Sequence, residues 1–201
     1  ILPLGIPRRK VEKVQANLDV RVAQAFIGGT RLLGALMAAN SNGIVLPHFA
    51  DESEIEAIRS AIGVGATTVE GKKTAFGNLI LANDKGALVD ARFSRASTKK
   101  ISDVLGVEVC PATIAGLPYV GSVGRATNKG AVVHPMASEE ELRQAREVLK
   151  VNVEWGTVNQ GGPFVGSGLL ANGKGAALGS MTTGREVVVI GQALDTVAEA
   201  R

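Results

Sequence analysis

The sequence predicts an α/β protein assembled from repeated strand, strand, helix, strand units packed radially about an axis. Three observations predict it. The stretch 77–86, Gly-Asn-Leu-Ile-Leu-Ala-Asn-Asp-Lys-Gly, has near-copies beginning at Gly34, Gly121 and Gly166, so successive starts lie 43, 44 and 45 residues apart. In every copy a second glycine follows nine positions later (Gly43, Gly86, Gly130, Gly175), and an alanine stands five positions after the first (Ala39, Ala82, Ala126, Ala171). After each copy comes a helical pattern. A fixed period of this size is the mark of a repeat architecture, and five such periods slightly exceed the 201 residues of the chain.

Each copy reads as a β-hairpin. Residues 36–39, 79–82 and 168–171 are apolar on both faces, as expected of short strands covered on both sides. The Asn-Asp-Lys-Gly type of ending supplies a turn, with the second glycine expected at positive φ. A second apolar strand follows at 44–46, 87–89, 131–133 and 176–178. The recurring alanine marks a place too tight for a larger side chain, as where several hairpins converge on an axis.

In chain order, residues 1–33 read as the tail of a further unit: Leu2-Pro3 matches Leu46-Pro47, Val11, Val14 and Leu18 share a helix face, and 20–22 is a short strand. The period puts that unit's hairpin before Ile1, which predicts a native chain extending about 20 residues upstream, in a segment that also completes the last unit. The next unit opens its helix on Asp51-Glu52-Ser53-Glu54, acids suited to a helix start, with Ile55, Ile58 and Ile62 as the buried stripe and a strand at 67–69. A helix near 97–105 with Ile101, Val104 and Leu105 inward leads to a strand at 107–110. Ser138-Glu139-Glu140-Glu141 is a capping box opening a helix with Leu142, Ala145, Val148 and Leu149 inward, before a strand at 151–155. Last, Thr182-Thr183-Gly184-Arg185-Glu186 opens a helix carrying Val187, Ile190 and Leu194, and 195–201 offers no returning strand. The chain divides into a partial unit at 1–26 and units at about 27–70, 71–110, 111–155 and 156–201, all in one domain.

Composition excludes several classes. A formal charge of +3 permits an RNA-containing partner without the polycation of a histone-like protein, and aromatics at 3% argue against base stacking on single strands. One cysteine excludes an internal disulfide and a multi-cysteine metal site, which fits a reducing compartment. No apolar run approaches a membrane span, and no signal peptide is visible.

Most candidate chemistry reduces to repeat geometry. Gly29 to Gly34 has phosphate-loop spacing, but Ala35 and Leu36 stand where a lysine and a hydroxyl residue are needed. Cys110 closes an apolar strand in a single unit and reads as a buried structural thiol; a nucleophile with His48 or His134 as base is the alternative. The two histidines occupy equivalent strand-to-helix junctions rather than a metal pair. Neither a catalytic residue, nor a cofactor site, nor a metal site is expected. Lys85, Lys129 and Lys174 share one hairpin turn, so they should fall on one face, as solvated turns or as contacts to phosphate or an acidic tail.

The stretch 74–89, together with Leu105-Gly106-Val107-Glu108-Val109, Thr127-Asn128-Lys129-Gly130, Val133-His134-Pro135, Gly156-Thr157-Val158-Asn159 and Thr182-Thr183-Gly184-Arg185-Glu186, resembles the translation initiation factor 6 family in its archaeal form. The resemblance implies the pentein fold, a five-fold pseudosymmetric α/β propeller of ββαβ units, here with its first unit incomplete. It implies a cytoplasmic, non-enzymatic monomer that binds the large ribosomal subunit, at ribosomal proteins and rRNA near the sarcin-ricin loop. Such a factor blocks joining of the small subunit and acts in large-subunit maturation, with neither membrane nor DNA as partner. Asn78 matches the family's ribosome-binding Gly-Asn position; Ala35, Ser122 and Ser167 are its equivalents, and Asn78, Ser122, Lys85, Lys129 and Lys174 are the expected ribosome-binding residues. The rival is a guanidine-modifying pentein enzyme using Cys110, although such enzymes carry their cysteine near the C-terminus and this chain does not.

Overall fold

The computed structural model describes residues 1–196; the expectation for the stretch 195–201 falls mostly outside them. The elements are β1 (Leu2–Pro3), α1 (Arg8–Leu18), β2 (Gln24–Ala25), α2 (Leu33–Leu36), β3 (Ala38–Ala39), β4 (Gly43–Pro47), α3 (Glu52–Ile62) and β5 (Gly65–Val69). They continue with α4 (Phe76–Leu79), β6 (Ile80–Ala82), β7 (Ala87–Asp90), α5 (Arg95–Leu105), β8 (Val109–Ala112), β9 (Gly124–Ala126), β10 (Gly130–Val133), α6 (Glu139–Leu149) and β11 (Asn152–Trp155). Last come α7 (Val165–Gly168), β12 (Leu169–Ala171), β13 (Ala176–Leu178) and α8 (Gly184–Ala193).

The strands form five small sheets: β3-β4-β5, β6-β7-β8 and β9-β10-β11 with three strands, β1-β2 and β12-β13 with two. In each three-stranded sheet an antiparallel hairpin is followed, after a crossover helix, by a third strand parallel to the second. The second strand is therefore central, and in β4, β7 and β10 every residue is buried. Its apolar character on both faces has that cause: a sheet lies between two layers of helix and sheet.

Neighbouring units interlock. Helix α5 packs on β4, α6 on β7, α8 on β10, and α1 on β13, so the first helix lies against the last hairpin. Both recurring glycines serve this contact. A Cβ at Gly77, Gly121 or Gly166 would overlap the carbonyl oxygen of the recurring glycine one unit earlier. A Cβ at Gly43, Gly86, Gly130 or Gly175 would overlap the carbonyl oxygen of Val104, Val148, Ala193 or Asn17, at the last turn of the helix packed on it. The second glycine thus answers a close backbone approach, and none of its four copies has the positive φ expected from the sequence.

Boundaries moved in a consistent way. The strand expected at 36–39 is the single helical turn α2 followed by β3, and α4 and α7 likewise precede β6 and β12. The strand expected at 107–110 lies at Val109–Ala112, and that expected at 20–22 at Gln24–Ala25. Helix α5 begins at Arg95, where Ser94 caps it by accepting from the Ser97 amide.

Candidate functional site

The short strands β3, β6, β9 and β12 are the first strands of the four hairpins, and each ends on an alanine of one shared cavity. Their entry end follows the helical turns α2, α4 and α7, or for β9 a non-helical turn at 120–122, and their turn end finishes at the hairpin loops. Because β6 has three residues, its ends stand only about 10 Å apart, yet they differ in chemistry.

At the turn end, Ala39, Ala82, Ala126 and Ala171 line one cavity of about 300 Å³, which is the convergence their recurrence suggested. The adjoining asparagines join units: Asn40 Nδ2 donates to Leu105 O at 2.7 Å, Asn83 Nδ2 to Leu149 O at 2.8 Å, and Asn172 Nδ2 to Leu18 O at 2.7 Å. The three turn lysines follow the same rule. Lys85 Nζ donates to Lys150 O at 3.3 Å, Lys129 Nζ to Asp195 O at 3.3 Å, and Lys174 Nζ to Asp19 O at 3.4 Å and to the Asp19 carboxylate. Each ammonium sits at the C-terminal end of a neighbouring helix, where the unpaired carbonyls concentrate negative charge. All three ammoniums therefore act first as ties between units.

At the entry end, Asn78 and Ser122 lie together on a cavity of about 330 Å³ that Ala35, Ser167, Arg31 and Arg125 also border. Backbone bonds fix the pair: Gly121 N and Ser122 N donate to Asn78 O at 3.0 and 3.2 Å, and Gly166 N donates to Ser122 O at 2.9 Å. The half-buried Asn78 amide and Ser122 hydroxyl make no side-chain hydrogen bond among the described residues, whereas Ser167 Oγ donates to Phe164 O at 2.7 Å. Arg125, half-buried, donates to Leu169 O and Gly166 O at 3.1 and 2.7 Å, and burial lowers its pKa. The expected ribosome-binding residues thus separate into two sets at opposite ends of the inner strands, a division set by a strand between Asn78 and Lys85.

Apolar side chains surround the entry end. Leu32 is 64% exposed, Tyr119 44% and Phe164 46%, each two residues before a recurring glycine. Met136 and Phe49, at 77% and 41%, follow the strands β10 and β4 that return to this end. The His134 ring meets Phe164 edge-on at 6.4 Å, and the Arg92 guanidinium lies over Tyr119 at 5.9 Å. With aromatics so few, composition hid this patch; the recurrence of a large residue two positions before the glycine was the available signal.

Three glutamates tie the helix starts to the preceding loops. Glu186, nearly buried, accepts from Thr183 N at 2.7 Å and Gly161 N at 2.9 Å, and its pKa falls to about 2, chiefly through the Thr183 amide. Burial pushes the Glu54 and Glu141 pKa values up, but amides of Gly29 and Gly28, or of Gly116 and Ser138, outweigh it and leave both lowered. The phosphate-loop spacing at Gly29 is explained here, since the Gly28 and Gly29 amides donate to Glu54 at 2.6 and 2.9 Å.

Cys110 is half-buried rather than buried, pairs across the sheet with Leu88, and lies 3.7 Å from Glu108 Oε1. Burial and the Glu108 charge raise its pKa, the reverse of what a thiolate nucleophile needs. His134 Nδ1 accepts from Met136 N at 3.0 Å. Among the described residues no group of three or more His, Cys, Asp or Glu could hold a metal ion, and no helix is long and apolar enough to cross a membrane.

The family model described as eIF-6 family matches residues 1–193. The chain belongs to the eIF-6 family. The family's curated members include Translation initiation factor 6 of Pyrococcus abyssi, 48% identical over 96% of this chain and 87% of its own length. That of Pyrococcus horikoshii is 44% identical over the same shares. In Methanocaldococcus jannaschii the factor is 38% identical over 98% of this chain and 89% of its own.

Proposed function

We propose that this eIF-6 family chain binds the large ribosomal subunit and keeps the small subunit from joining it by steric occlusion, without catalysis, with a part in large-subunit maturation. The observation that carries the reading is family membership along almost the whole chain, shared with proteins named translation initiation factors. The docking surface is the entry end. There Asn78 and Ser122 offer hydrogen-bonding capacity to a partner, and Leu32, Tyr119 and Phe164 offer apolar area that solvent alone does not stabilise. The partners are ribosomal proteins and rRNA near the sarcin-ricin loop, and the chain acts in the cytoplasm as a monomer. Lys85, Lys129 and Lys174 contribute attraction to the rRNA phosphates at longer range. The fold is the pentein arrangement, a single domain with units at 1–26 and at about 27–70, 71–110, 111–155 and 156–201.

The test is co-sedimentation of the purified chain with isolated large subunits, followed by addition of small subunits. Pelleting with large subunits alone and loss of the joined particle are expected. A chain that stays in the supernatant, or pellets and leaves joining unimpaired, overturns the reading.

A further inference from the structure

Three of the longer helices, α3, α6 and α8, carry a glutamate at their third position, and each carboxylate lies between its helix start and the loop leaving the preceding parallel strand. Glu54 accepts from the amides of Gly28 and Gly29 at 2.6 and 2.9 Å, and Glu141 from those of Ala115 and Gly116, both at 2.9 Å. Glu186 accepts from Gln160 and Gly161 at 3.3 and 2.9 Å. In α5 the same position is Ser97, whose hydroxyl meets the Ser94 hydroxyl at 2.9 Å and donates to Glu70 O at 3.5 Å, and no carboxylate stands there. A cavity of about 320 Å³ lies there, bordered by Glu70, Lys72, Lys73, Arg92, Ser94 and Ser97.

The charges around this cavity are mostly positive. Lys73 and Arg92 both pair with one carboxylate, the fully buried Asp90, at 3.2 and 2.7 Å. Lys72 makes no ion pair among the described residues, and Arg95 opens a helix whose first turn holds no acid. Three cations on the cavity, Lys72, Lys73 and Arg92, therefore stand against two carboxylates, Asp90 and the exposed Glu70, at a helix start that itself favours negative charge.

We propose that this cavity binds a phosphate group, an anion from outside the chain occupying the place that a glutamate carboxylate fills in the three sister units. A tetrahedral oxyanion accepts from several directions at once and suits donors spread over a loop, a strand end and a helix start. Free phosphate and an RNA phosphodiester share this chemistry. The second source rests on the ribosome-binding reading, since the cavity lies at the entry end, where Arg92 reaches Tyr119.

The thermal midpoint of the full chain, read against inorganic phosphate at constant ionic strength, tests the site, with acetate as the control anion and Ser97→Glu and Lys72→Gln as variants. Phosphate should raise the wild-type midpoint more than acetate does. Ser97→Glu, which supplies the carboxylate internally, should melt higher without phosphate and bind it about tenfold more weakly or less. Lys72→Gln should weaken binding without lowering the starting midpoint. A short oligouridylate lacking terminal phosphates, followed by fluorescence anisotropy, separates the sources: binding lost in Ser97→Glu marks a phosphodiester, and a response to inorganic phosphate alone marks the free anion. Equal responses of Ser97→Glu and wild type, equal effects of acetate and phosphate, or no response to either probe overturns the proposal. None of these readouts involves ribosomal subunits, so failure to pellet with them would leave this result unchanged.

Discussion

The ammonium of Lys85 donates to the backbone carbonyl oxygen of Lys150, 3.3 Å away and 65 residues further along the chain. Lys129 with Asp195 and Lys174 with Asp19 repeat the relationship. A residue type that reads as a solvated turn in the sequence is thus a connector between units, and its charge performs two tasks that experiment can separate.

Replacing Lys85 or Lys129 by methionine keeps the stem and removes the donor. The expected loss of stability is at most about 1 kcal/mol, because the hydrogen bond is exposed and the carbonyl can turn to water. If the ammonium also attracts rRNA, the slope of large-subunit affinity against salt should fall by up to about one per lysine. Denaturant midpoints and co-sedimentation across a salt series measure the two effects. A destabilised variant with an unaltered salt slope would confine the lysine to its structural task.

Gly121→Ala should be far more damaging than Gly34→Ala. A Cβ at Gly121 would overlap the carbonyl oxygens of Gly77 and Ile80, both backbone atoms, whereas one at Gly34 meets nothing within 4 Å. Overpacking of this kind costs about 1–3 kcal/mol or more, while alanine in an exposed helical turn changes stability by less than about 1 kcal/mol, in the favourable direction. Urea unfolding of both variants checks the contrast, and equal effects would contradict the close approach between units.

Acid should unfold the chain over a window set by two carboxylates. Glu186 and Asp90 both have native pKa values of about 2, the latter held down first by the Arg92 guanidinium, against about 4 in an unfolded chain. Because the native values are depressed, their contribution is complete above the unfolded pKa and is lost as pH falls from about 4.5 towards 2. Glu186→Gln should melt lower than wild type at neutral pH and show a flatter decline across that window. Thermal midpoints from pH 7 downward, an ordinary titration range of roughly five units, decide it; parallel curves would remove Glu186 from the account.

Cys110→Ala should leave large-subunit binding intact. The raised thiol pKa predicts slow alkylation at neutral pH that accelerates as pH rises. Rapid modification at neutral pH accompanied by loss of binding would restore a functional thiol, and with it the enzymatic alternative.

The repeat was legible because its glycines and alanines recur at fixed spacing, and helix starts such as Ser138 to Glu141 declare themselves through capping chemistry. The helical turns α2, α4 and α7 were not legible, since four residues cannot display a 3.6-residue period. Positive φ at the second glycine was a reasonable local inference, but the deciding contact, such as Gly86 against Val148 O, lies more than sixty residues away. Asn78 is singled out by the family resemblance and Lys85 by its recurrence in the hairpin turns; that β6 carries them to opposite ends follows only from the observed strand. Nor did Lys72, Lys73 and Arg92 stand out, because their cavity depends on a missing glutamate that only comparison with the sister helices makes visible.

The bond from Asn172 Nδ2 to Leu18 O spans 154 residues, and the neighbouring pair of Lys174 and Asp19 spans 155. During synthesis helix α1 must wait until its partner strand β13 has left the exit tunnel. Until then its apolar stripe is uncovered, and a polypeptide arrested short of Ala176 lacks the hairpin that covers it. Loop closure over such a distance is entropically costly and comes late. Nascent chains truncated before that strand should therefore be protease-sensitive at helix α1, and protection should appear abruptly once residue 178 has emerged.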